Sequence, residues 1–175
     1  MKKISLAVLI FSISILINMP LMAQQNQASK ILNERNIPVT KEQLWESAKN
    51  GDTKTVRLLL QAGINPNYGL GKYGESPILN ATIMGHLAAV KLLVKYGAKI
   101  DTSYSKKYVA TPLWYAVNNG DTDIVRYLLN KGANPLKKDR LGWSPMRQAK
   151  LYNETEIINL LEKAIKIRTK NAQSK

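Results

Sequence analysis

The chain has 175 residues, a formal net charge of +14 at pH 7 and no cysteine. Without cysteine there is no disulfide framework, thiolate metal site or cysteine nucleophile. The charge implies attraction to acidic surfaces in general, whether acidic protein, anionic lipid, envelope polyanion or nucleic acid, and does not choose among them.

Lys2 and Lys3 precede an apolar run from Ile4 to Ile17, followed by Asn18, Pro20 and Leu21-Met22-Ala23. This is the charged, apolar, cleavable order of a secretory signal peptide. The run is shorter than the ~20 residues needed to span a bilayer, so an uncleaved anchor is the weaker reading. Residues 1–23 are therefore expected to be a signal peptide cut after Ala23, although Leu21 is larger than the small residue preferred there. Losing Lys2 and Lys3 takes the net charge from +14 to +12. The expected destination is export, to a periplasm or to the medium.

Residues 24–40 read as a polar lead-in. Thr40 and Gln43 then have the spacing of a capping box, opening a helix over 42–50 that carries Leu44 and Trp45. Gly51-Asp52 makes a turn, and a second helix over 53–62 places Val56, Leu59 and Leu60 on one face before Gly63 ends it. The same unit returns along the chain. Ser76-Pro77-Ile78-Leu79, Thr111-Pro112-Leu113-Trp114 and Ser144-Pro145-Met146-Arg147 each start a helix, with prolines 35 and 33 residues apart. Proline in the first turn loses no hydrogen bond, and the preceding Ser or Thr caps the helix. Gly85-His86, Gly120-Asp121 and Asn153-Glu154 mark the turns, and Gly97 and Gly132 the exits. The expected helix pairs are 77–84/87–96, 112–119/122–131 and 145–152/155–168. The last pair lacks a glycine exit and runs into a basic tail, 169–175. A fixed period of this length means stacked units that bury their apolar stripes against one another.

These units resemble the ankyrin repeat, in which Thr-Pro-Leu-His-x-Ala opens the first helix, Gly-His makes the turn and Gly-Ala precedes the next finger loop. Thr111, Pro112, Leu113, Ala116, Gly85-His86, Gly97-Ala98 and Gly132-Ala133 carry the match. The resemblance covers about 41–168 and implies an all-α solenoid of four repeats, with an N-terminal cap (41–68), two complete units (69–101 and 102–135) and a C-terminal cap (136–168). Leu79, Trp114 and Arg147 stand where the family has histidine. The resemblance therefore implies that the hydrogen bonds made by that histidine are missing.

Catalytic chemistry is not in evidence. His86 sits at the turn position with no carboxylate or nucleophile at a defined spacing, the acids are scattered singly, and Gly69-Leu70-Gly71 lacks the context of a phosphate loop. No enzyme activity, cofactor or metal is expected. The expectation is a monomeric, non-enzymatic module that binds a protein partner, acidic if charge contributes; contact with an anionic envelope or lipid surface is the alternative, and export makes nucleic acid a weaker candidate. Two long finger loops hold Tyr68, Tyr73, Tyr104 and Tyr108, and Trp143 precedes the last Ser-Pro start, so aromatics alternate with lysine and arginine. Tyr, Trp and Arg dominate binding hot spots. Through the resemblance, the concave face comprises finger residues Lys72, Tyr73, Glu75, Lys107, Tyr108, Arg140, Leu141 and Trp143. It also takes in the ends of the first helices, at Ile83, Met84, Asn118, Asn119, Leu151 and Tyr152. The tips are expected to have little to pack against, whereas Trp45 and Trp114 are expected in the core.

Overall fold

The computed structural model describes residues 6–70, 74–102 and 110–173, with side chains from Pro20 onward. Nine helices are described: α1 (Leu6–Glu34), α2 (Lys41–Lys49), α3 (Thr53–Gln61), α4 (Pro77–Ile83), α5 (Leu87–Lys95), α6 (Pro112–Asn118), α7 (Thr122–Asn130), α8 (Pro145–Leu151) and α9 (Thr155–Gln173). The four expected pairs are α2/α3, α4/α5, α6/α7 and α8/α9, each within a residue or two except at the end of α9. They stack in two layers. An inner layer runs α2, α4, α6, α8, and an outer layer runs α1, α3, α5, α7, α9.

Local chemistry starts and stops these helices as the sequence predicts. The hydroxyls of Ser76, Thr111 and Ser144 accept from the backbone N–H three residues on, with proline in the first turn. Thr40 caps α2 by accepting from Gln43 N at 3.1 Å. The reciprocal half of the expected capping box does not form, because the Gln43 amide donates to Ser47 Oγ instead. Asp52 caps α3 by accepting from Thr55 N at 3.1 Å, and its bonds with Thr55 hold its carboxyl below the usual value.

The core repeats with the sequence. Ser47, Ala81, Ala116 and Ala149 are buried at equivalent inner-helix positions, and their small size lets neighbouring inner helices approach. On the outer helices Leu59, Leu93, Leu128 and Leu161 are fully buried at one equivalent position, and Val56, Val90 and Val125 at another. Each repeat is thereby held mainly by its neighbours.

Two predicted segments differ. The lead-in is not a passive tether, since α1 continues through Glu34 and buries Ala28 and Leu32 against α3. It is the outer half of a repeat without its inner helix. Asn36, at φ 54°, ends it in the left-handed conformation that Gly63 adopts at φ 92°. Ile37 N then donates to Leu32 O at 2.9 Å, as Ile64 N does to Leu59 O at 3.1 Å. At the other end, α9 extends past Arg168 to Gln173, because Lys170, Asn171, Ala172 and Gln173 include no glycine or proline to stop it.

The turn glycines differ in how tightly they are packed. Gly51 has φ +72°, and a Cβ there would lie 2.7–2.9 Å from three atoms of the His86 ring; Gly97 has φ +85° with open space around it. Gly97→Ala is expected to cost about 1–2 kcal/mol, the penalty of left-handed backbone. Gly51→Ala is expected to add about 1–3 kcal/mol of overpacking to that. Urea melts of both variants give the comparison; equal costs would mean that the His86 ring yields freely.

Candidate functional site

The residues between repeats are tied by polar contacts that the family-type histidine does not supply. Trp45 Nε1 donates to the Glu75 carbonyl at 3.0 Å. His86 Nε2 donates to the Lys49 carbonyl at 3.1 Å, which agrees with its reading as a turn residue. Gln148 Nε2 donates to Asn118 Oδ1 at 2.6 Å, and Asn119 Nδ2 to the Ile83 carbonyl at 3.0 Å. In the fingers, Asn67 bonds both Gly97 O (2.9 Å) and Lys99 N (2.8 Å), while the Asp101 carboxylate accepts from Asn134 N. Polar contacts between repeats are thus made at positions other than Leu79, Trp114 and Arg147, which stand where the family has histidine.

These contacts sort the predicted site residues. Lys72, Tyr73, Lys107 and Tyr108 lie outside the described residues, as does Tyr104. Glu75 is half-buried, and its carbonyl accepts from both Leu70 N and Trp45 Nε1, so its backbone anchors the finger. Asn118 is half-buried and engaged with Gln148, which makes it a link between repeats rather than a free binding group. Ile83 is half-buried. Arg140 and Asn119 are exposed, and Met84, Leu141, Leu151 and Tyr152 are exposed at 47%, 79%, 57% and 54%.

Three aromatic expectations are revised. Trp143 is half-buried: the Arg147 guanidinium lies 4.0 Å from its ring centroid, and its backbone N–H donates to Asp139 Oδ1 at 2.7 Å. The fingertip therefore has a packing partner, and the arginine that replaces the family histidine supplies it. Tyr68 is half-buried with its hydroxyl donating to the Lys41 carbonyl, and burial pushes its phenol well above the ordinary value. It braces the first repeat and is not a free probe. Trp45 and Trp114 are both half-buried rather than fully in the core.

What remains open to solvent is a ladder. Asn50, Met84, Asn119 and Tyr152 are the C-caps of α2, α4, α6 and α8, equivalent residues one per repeat, all exposed. At an interhelix spacing of about 8–10 Å the row spans roughly 30 Å. Leu151 stands beside it, and Leu141 is on the last finger. Asn50 was legible from the register with Met84, had the first unit not been read as a cap. Among the described residues no group of histidine, aspartate and glutamate could hold a metal ion.

A family model described as ankyrin repeats (3 copies) matches residues 19–104 and 103–171, most of the chain. The chain belongs to the ankyrin-repeat family. A protein named for its ankyrin repeats, R664 of Acanthamoeba polyphaga mimivirus, is 30% identical over 140 residues, covering 78% of this chain and 83% of that protein. The Notch-regulated ankyrin repeat-containing protein of Xenopus laevis is 34% identical over 99 residues, covering 55% of this chain and 85% of its own length. Ankyrin repeat and SAM domain-containing protein 6 of Mus musculus is 36% identical over 90 residues; the match takes in 50% of this chain and 10% of that protein. Ankyrin repeats generally mediate protein–protein interaction.

Proposed function

We propose that this ankyrin-repeat protein is exported and captures a protein partner along the open row of inner-helix ends, without catalysing a reaction. One observation carries the reading. Met84, Leu141, Leu151 and Tyr152 are exposed large apolar side chains and are among the residues that the ankyrin resemblance assigns to the concave face. Apolar groups gathered on one open face make sense when a partner covers them. A tyrosine, a methionine and two leucines supply anchors, and the interspersed asparagines supply adaptable hydrogen bonding.

Export is supported by the amino-terminal pattern. The described contacts of α1 with the repeats start near Gln25, whose side chain reaches Gly63, and continue at Ala28 and Leu32. Cleavage after Ala23 would leave that cap whole, and protein from the native host is expected to begin at Gln24 by intact mass. Among the described residues, no helix is long and apolar enough to cross a membrane.

Capture of a partner from envelope extract, with washes at low and high salt, tests the function. An apolar-anchored protein interface is expected to survive the high-salt wash with modest loss. Binding to an anionic envelope or lipid surface, driven by the net charge, would collapse as salt rises, and that result would overturn the reading.

A further inference from the structure

Among the described residues, Ile167 on α9 is an exposed large apolar side chain that lies off the inner-helix row. The helix α7 has nine residues and α9 nineteen, so the two are about 14 Å and about 28 Å long. Past the α7 exit at Gly132 and Pro135, no described outer helix lies beside the second half of α9. A groove of about 560 Å³ opens there, with Pro135 in its lining. Its floor is apolar, with Leu129, Leu160, Ala164 and Ile167, and its rim holds Arg126, Lys163 and Arg168 with no carboxylate in the lining. Arg126 is paired with Glu156. Neither Lys163 nor Arg168 has an ion-pair partner among the described residues.

We propose that this groove is a second docking site, separate from the inner-helix face, for a short acidic amphipathic segment of a partner protein. The lining from Leu160 to Asn171 covers about three helical turns of α9. That length suits a segment of similar size with apolar residues at i, i+3 or i+4 facing Leu129, Ala164 and Ile167. Its carboxylates would then meet Lys163 and Arg168. Charge complementarity selects this occupant: a second copy of the chain, at +12 once residues 1–23 are removed, is repelled. The apolar floor also lies inside a concavity, which a narrow segment enters and a flat bilayer does not.

The test uses a labelled 18-residue helical peptide with leucine along one face and glutamate on the other. Its counterpart has the same composition permuted to destroy the stripe. At about 0.15 M ionic strength, where separated surface charges are screened, the striped peptide is expected to bind at least tenfold more tightly. Ile167→Asp and Arg168→Glu are exposed positions that leave the core intact, and each is expected to weaken it about tenfold. Backbone amide shifts should concentrate in residues 129–135 and 160–171. Tyr152→Ala, on the other face, should not change peptide binding, so failure here is distinguishable from failure of the inner-face reading. Equal binding of the permuted peptide, or indifference to both variants, would show only non-specific charge attraction and overturn the site. Ile167-dependent binding to phosphatidylglycerol vesicles, without peptide binding, would overturn it in favour of a membrane contact.

Discussion

Leu32→Ala is expected to destabilise the protein by about 2–5 kcal/mol, the cost of truncating a fully buried leucine, even though Leu32 lies outside the segment that carries the repeat motifs. Its side chain is fully buried, and it holds α1 against α3. In a stack of this kind each unit relies on its neighbours, so an uncovered α3 would expose Leu59 and Leu60 at the end of the outer layer. Removal of residues 1–23 is the matching control. It spares Gln25, Ala28 and Leu32, described α1 side chains that reach the repeats, and the melting temperature is expected to stay close to that of the full chain. Urea and thermal melts of the two variants are the measurement. A Leu32→Ala protein as stable as the parent would mean that α1 is a detachable tether after all.

The second large effect concerns binding. Met84→Ala and Tyr152→Ala are each expected to weaken partner capture by about 2 kcal/mol, roughly thirtyfold, as truncation of a hot-spot anchor does. Neither should alter stability much, since both side chains are about half exposed and cap their helices through the backbone N–H rather than the side chain. Trp143→Ala serves as a contrast. It removes the ring beneath Arg147 and is expected to cost about 0.5–1 kcal/mol of stability, the value of an exposed cation–π contact. Titration of the captured partner against each purified variant reads the affinities, and circular dichroism the folding. Parent-like binding by both Met84→Ala and Tyr152→Ala would move the interface off the inner-helix ends.

Tertiary contacts account for the difference between the expected and the observed surroundings of three residues. Tyr68 and Trp143 each sit in a loop, which by itself predicts an exposed aromatic. Whether a loop residue is free depends on which group of the folded unit reaches it, and the Lys41 carbonyl and the Arg147 side chain do so here. Asn118 was assigned to the binding face by its position at the helix end, yet Gln148, thirty residues on, takes its oxygen. A single unit contains no information about that pairing.

The amino-acid sequence by itself determined the repeat: helix starts at Ser-Pro and Thr-Pro, exits at glycine and the apolar stripes between them. Those signals are local, each acting within one or two turns of backbone, so their spacing alone sets the helix pairs and the all-α stack. Even the half-repeat before the first unit was written in the chain, in Leu32, Asn36 and Ile37, though without the Ser/Thr-Pro start that makes the others conspicuous. Tertiary structure alone decided which of the equivalent residues face solvent, how the repeats are tied without the family histidine, and that α9 outruns α7 to leave a groove. These depend on contacts between residues a full repeat apart, whose partners are chosen by packing in three dimensions and not by neighbours along the chain.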